Sequence, residues 1–112
     1  MEKTINVSGK AVAFKATAST TRRYRQKFQR DLIQDMQALT TEMTSNNDMS
    51  VASLEMFENI AYIMAKQADD NVPNNPDDWF DEFDMFSIYE VLPQIVELWN
   101  TNMVTIEFPK KK

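Results

Sequence analysis

Two spacings of apolar residues divide the chain. Near the N-terminus the period is two. Ile5 and Val7 alternate with polar neighbours, and Val12 and Phe14 repeat the alternation after Ser8-Gly9-Lys10. That spacing predicts strands, and Gly9 suits a turn that needs positive φ. A β-hairpin is therefore expected over 1–17. An isolated hairpin is marginal in water, so this one must lie on helices or pair with another chain. Beyond it the period lengthens to three or four. Tyr24, Phe28, Leu32, Met36, Leu39 and Met43 form one stripe and predict a long helix over 21–43, with Ser19, Thr20 and Thr21 as candidate N-caps. The cluster Ser45-Asn46-Asn47-Asp48 should end it.

A second helix is expected over 51–69, capped by Ser50. Its apolar residues cover most of the circumference, leaving Glu55, Glu58, Asn59, Tyr62 and Lys66 as a polar strip. Such a helix belongs at the centre, packed on more than one side. DDNVPNNP is a loop, and Asn75-Pro76 then reads as N-cap and first residue of a short helix over 76–83. SIYE matches a capping box, Ser87 with Glu90, opening a last helix over 88–102. Pro93 sits inside that span, so the helix should kink near Tyr89, or its first turn should be separate. Residues 103–112 read as a short edge strand or a tail. The expected fold class is mainly α: an N-terminal β-hairpin, three main helices and one short helix in a single compact domain.

Composition narrows the chemistry. The 112 residues include no cysteine and no histidine, so thiolate metal sites and the commonest general base are both missing. A single glycine cannot build a phosphate-cradling loop, which needs at least two. The acids at 77–84 do not match a calcium-loop spacing. No catalytic residue, metal or cofactor is expected, and the chain reads as a protein that is not an enzyme. No apolar run approaches the ~18 residues of a membrane span. The start MEKTINVSGK lacks the apolar core of a signal peptide.

Charge changes the picture most. The net charge is −5, yet residues 1–30 carry eight Lys/Arg against Glu2, whereas residues 31–109 carry Lys66 against sixteen acids. Arg22, Arg23, Arg25, Lys27 and Arg30 crowd into nine residues. Three readings stand for them: the wet face of a helix, a contact with protein carboxylates, or a contact with nucleic acid. Arg23, Lys27 and Arg30 project away from the apolar stripe, as solvated charges do, while Arg25 projects toward it. Cations in the first turns of a helix starting at 21 also oppose the helix dipole, so an anionic partner is expected. The downstream acids argue against a phosphate backbone. Asp77, Asp78 and Asp81, interleaved with Trp79, Phe80 and Phe83, are the natural counterpart, in the same or a neighbouring subunit. The aromatics there belong to the core, or in part to an exposed anchor patch. Seven methionines beyond Met1 read as core filler or as a flexible partner groove.

Three segments, INVSGKAVAFKATASTTRRYRQKFQRDLIQDM, LEMFENIAYIMAKQAD and DWFDEFDMFSIYEVLPQIVELW, resemble the tail assembly chaperones of siphophages and prophages of low-GC Gram-positive bacteria. The likeness covers nearly the whole chain and rests on the order of elements, since such chaperones have no catalytic signature. It implies a small helical protein that binds the tape measure protein and keeps it soluble while tail tube protein polymerises. It implies work in the host cytoplasm and absence from the mature virion. It further implies a frameshifted longer form, for which the codons of Lys110, Lys111 and Lys112 would be the slippery site. A homo-oligomer is expected from the hairpin edge and the basic helix. The alternative is a small nucleic-acid-associated phage regulator using residues 22–30.

Overall fold

The computed structural model describes residues 2–45, 51–84 and 87–98, with side chains from 2–42 in the first stretch. The order is β1 (Glu2–Val7), β2 (Lys10–Lys15), α1 (Ala18–Phe28), α2 (Leu32–Ser45), α3 (Val51–Ala68), α4 (Pro76–Phe80), a 3-10 turn (Ser87–Val91) and a helix α5 over 92–98. The fold is mainly α with an N-terminal hairpin, as the two spacings predict. The cap expected at Ser50, the asparagines at 46–47 and the segment 103–112 lie outside the described residues.

β1 and β2 pair antiparallel, with Val7 opposite Lys10 and Ile5 opposite Val12. Ser8 and Gly9 form the two-residue loop, with φ of 56° and 81°. Two positive φ values make a turn whose twist matches the strands. The Asn6 side-chain oxygen accepts from the Gly9 N–H at 2.9 Å. Lys3, Ile5, Val7, Lys10, Val12 and Phe14 share one face through this register. Ile5, Val7 and Phe14 are buried on it against the helices. A lysine closes each end of that face. Lys3 Nζ reaches Glu97 Oε1 at 3.7 Å, and Lys10 Nζ reaches Glu82 Oε1 at 3.1 Å.

α3 is the central helix. Phe57, Ile60, Ala61, Ile63, Met64 and Ala65 are buried, and β2, α1 and α2 all pack on it. Tyr62 departs from the expected polar strip. Its ring is buried and edge-on to Trp79 at 5.9 Å, while its hydroxyl donates to the Pro73 carbonyl at 2.5 Å. A tyrosine buries its ring when its hydroxyl finds a partner at the rim, which the polar label alone does not reveal.

The long helix expected over 21–43 is two helices. α1 ends at Phe28, and Gln29 takes the left-handed conformation at φ 61°. The Asp31 carboxylate then caps α2, accepting from the Ile33 N–H at 2.9 Å. The start also shifts: Thr17, not residues 19–21, is the N-cap, in a reciprocal capping box with Thr20. Gln67 of α3 closes this cap, accepting from the Thr20 hydroxyl and donating to Thr17 Oγ1, each at 2.6 Å.

Downstream, Asn75 caps α4 and Pro76 opens it, as expected. The helix stops at Phe80 rather than 83, and a turn carries residues 81–83. At Pro93 the chain takes the second of the two expected courses. The first turn is a separate 3-10 segment, Ser87–Val91, and α5 follows with Pro93 in its first turn, where a missing N–H costs nothing.

Candidate interaction surface

The break at residues 29–31 reorders the electrostatics of the basic stretch. With α1 running from Ala18 to Phe28, Arg25 and Lys27 fall in its last turn. Cations there are favoured by the carbonyl end of the helix dipole, so the expected penalty is absent. Asp31 and Asp35 lie at the amide end of α2, where anions are favoured. The change of sign from Arg30 to Asp31 is thus the boundary between two helices, each matched to its own dipole.

Arg30 finds its anion locally. Its Nε donates to Asp35 Oδ2 at 2.8 Å and its Nη2 to Asp35 Oδ1 at 2.9 Å, a bidentate pair across the turn. The buried Tyr24 hydroxyl donates to the same Oδ2 at 2.6 Å. Burial pushes the Asp35 carboxyl up, but the bonds from Arg30 and Tyr24 and the Arg30 charge outweigh it and hold it below the usual carboxylate range. Burial, with the bond to Asp35 and its charge, raises Tyr24 well above the ordinary phenol value. The Arg30 guanidinium is held still more firmly charged by Asp35. This triad is a latch that fixes α2 against α1, not an open site.

Lys27 is spent on the loop before α4. Its ammonium donates to the Asn74 carbonyl at 2.9 Å and sits 5.7 Å from the centre of the Tyr62 ring. Lys66 donates to the carbonyls of Asp70 and Val72 at 2.9 and 2.6 Å. With Tyr62 on Pro73, side chains of α1 and α3 thus hold four carbonyls of the 70–74 segment. This bracket fixes where the acidic helix α4 begins.

Arg22, Arg23 and Arg25 remain outward. All three are exposed, including Arg25, which was expected on the apolar side. Arg23 Nε has Ser19 Oγ at 3.4 Å. Among the described residues, no ion pair joins residues 22–30 to the acids at 77–84 within the chain. The expected intrachain pairing is therefore corrected: Lys10 meets Glu82, Arg30 meets Asp35, and Asp77, Asp78 and Asp81 stay exposed.

Trp79 is not an anchor for a partner. It is 2 % exposed. Phe14, Tyr62, Phe80 and Phe83 surround it at ring-centre distances of 6.4, 5.9, 5.0 and 5.1 Å. Phe80 and Phe83 are half-buried; Phe83 borders two depressions and Phe80 the second of them. One, of ≈ 250 Å³, lies between β2 and Trp79. The other, of ≈ 290 Å³, is floored by Phe80, Phe83, Ile88 and Tyr89 and rimmed by Glu58, Asp81 and Asp84. Glu58 accepts from the Tyr89 hydroxyl at 2.5 Å, and that bond, with burial and the Glu58 charge, pushes the phenol up to about 12. The sequence marks Tyr89 only as a kink point. Its pairing with Glu58, 31 residues earlier, carries no local signal in the sequence.

The methionines divide. Met36 and Met64 are fully buried and Met56 is half-buried, whereas the Met43 side chain and Met49, Met85 and Met103 lie outside what the structure describes. Among the described residues, no helix is long and apolar enough to cross a membrane, and no group of three or more acidic side chains is placed to hold a metal ion. No family model, no curated protein and no solved structure matches this chain.

Proposed function

We propose that this protein is a non-enzymatic tail assembly chaperone that binds the tape measure protein and keeps it soluble while the tail tube polymerises. One observation carries most of the weight. The groove of Phe80, Phe83, Ile88 and Tyr89 has an aromatic floor and a rim of Glu58, Asp81 and Asp84. Such a groove suits an apolar helix with basic flanks, read as anchors at i, i+3 and i+4. The acidic rim keeps the half-buried aromatic surface soluble before a client arrives. The resemblance of the three segments named above supports the same reading. On it, the partners are the tape measure protein, the tail tube protein, a frameshifted longer form and further copies of the chain. The place of action is the host cytoplasm, and the mature virion lacks the protein.

Co-expression with the cognate tape measure protein tests the reading. The soluble fraction of that protein should rise several-fold, and Phe80→Glu should abolish the rise while leaving this chain folded. A client that stays equally insoluble with and without the chain sinks the proposal. A nucleic-acid role has one observation in its favour: Arg22, Arg23 and Arg25 are exposed and, among the described residues, form no ion pair. It predicts salt-sensitive binding to generic duplex DNA or RNA, and no binding at ~50 mM salt removes it.

A further inference from the structure

A depression of ≈ 410 Å³ between α1 and α3 is separate from the groove of Phe80 and Phe83. Arg23 and Lys27 of α1 and Lys66 of α3 border it, and the buried Tyr62 and Ile63 line it too. Arg23 and Lys27 are one helical turn apart and so share a face of α1. Lys66 is the only cation among residues 31–109, and the fold sets it beside the basic helix. Among the described residues no acid lines the depression, and none of the three cations forms an ion pair. Like charges gathered at one concavity repel, and the neutral carbonyls of Asp70, Val72 and Asn74 offset that only in part.

The cations keep donors to spare. An ammonium has three N–H groups; Lys27 gives one to Asn74, and Lys66 gives one each to Asp70 and Val72. Lys27 Nζ is also held in place, by the Asn74 carbonyl at 2.9 Å and the Tyr62 ring at 5.7 Å, so its position is set before any ligand arrives. Arg23 turns Nε toward Ser19 Oγ at 3.4 Å, which leaves the Nη edge of its guanidinium for an anion. We infer that this depression binds a small oligophosphate anion, a pyrophosphate group either free or at the end of a nucleotide. A single carboxylate has two oxygens and one charge, whereas a diphosphate carries several charges and enough oxygens to meet all three cations. The volume is that of a small-molecule site. With Gly9 the only glycine, side chains rather than a backbone loop would hold the phosphates. A nucleic acid would engage exposed Arg22 and Arg25 as well, which lie outside the depression. The inference stands whether or not a client binds the aromatic groove.

The experiment is an amide chemical-shift titration of the whole chain with sodium pyrophosphate at ~50 mM salt. Saturable shifts should appear at the amides of α1 near Arg23 and Lys27 and of α3 near Lys66, with one ligand bound per chain. Arg23→Gln should weaken binding about tenfold or more, and Arg23→Lys, which keeps the charge, should restore most of it. Arg22→Gln and Arg25→Gln each remove the same charge from the same helix but lie outside the depression, so they should change the affinity less than about twofold. The spectrum of Arg23→Gln without ligand should match the wild type, because the latch of Arg30 and the bonds of Lys27 and Lys66 stay in place. A second arm compares tripolyphosphate with ATP. Equal affinities assign the phosphate chain alone, and tighter ATP assigns a nucleotide; either supports the inference. It is overturned if no saturable shift appears at up to ~5 mM pyrophosphate, or if the three glutamine variants lose affinity equally. It is equally overturned if sulfate binds as well as pyrophosphate, or if a glutamate-rich peptide or duplex DNA displaces pyrophosphate at lower concentration than ATP does.

Discussion

Asp35 shows how much one carboxylate can fix. It is 4 % exposed, yet it accepts from Tyr24 and twice from Arg30, so its charge is compensated. Removing the charge while keeping the shape, as in Asp35→Asn, should cost roughly 1.5–3 kcal/mol, read as a lower urea midpoint at unchanged slope. Tyr24→Phe removes one donor and leaves the Arg30 pair, so its cost should be about 1 kcal/mol. The pH dependence follows from the lowered native pKa. An unfolded Asp titrates near ~3.9, so the stabilisation is complete above that pH and disappears as pH falls toward the lower native value. Acid unfolding of the wild type should therefore steepen below about pH 4, and Asp35→Asn should flatten that limb. An equal acid limb in both proteins would show that Asp35 is not the group responsible. Tyr24 has the opposite sign. Its native pKa is raised, so its contribution is intact below ~10 and lost only as pH climbs above that.

Elements were legible wherever periodicity met a chemical stop. The hairpin, α3 and the Asn75-Pro76 start of α4 follow directly from alternation, from a wide apolar face and from a cap followed by proline. The split between α1 and α2 was missed because the apolar stripe runs through it: Tyr24, Leu32, Met36 and Leu39 are all buried despite the break. No glycine or proline marks residues 29–31, and Gln29 adopts a left-handed conformation that costs a side chain. The charge sequence held the missing signal, since five cations ending in Arg30 and then Asp31 and Asp35 fit two helix dipoles and oppose one. Gln29→Gly should therefore stabilise the protein by up to about 1 kcal/mol in thermal or urea unfolding. A continuous helix would give the reverse sign, because glycine in a helix interior destabilises by ~1 kcal/mol. At the hairpin the argument inverts. Gly9 sits at φ 81° with open space where a Cβ would project, so Gly9→Ala should cost about 1 kcal/mol through backbone strain alone.

At the scale of the whole molecule, the acidic-aromatic stretch is the part whose meaning changes most. Its interleaved pattern is compatible with a surface patch and with a core plug, and the sequence does not separate them. The structure divides it: the aspartates stay outside while Trp79 goes in, because Pro76 and the Asn75 cap fix a single helical turn that aims one residue inward. Trp79 is where three distant parts of the chain meet, with Phe14 from the hairpin, Tyr62 from α3 and Phe83 from its own turn around one indole. These contacts span most of the sequence, so they add to the direct packing of β2 on α3 in holding the hairpin to the helices rather than shape any one element. Large-to-small replacement of a buried aromatic typically costs ~3–5 kcal/mol, and a domain of this size commonly has only ~5–15 kcal/mol in total. Trp79→Ala should therefore leave the chain close to unfolding, with the hairpin amides losing hydrogen-exchange protection before those of α3, whose packing on α1 and α2 persists. Phe80→Ala, on a half-buried ring, should cost clearly less. Equal losses for the two would place Trp79 on a surface after all, and uniform loss of protection in hairpin and α3 would show that the indole is not what joins them.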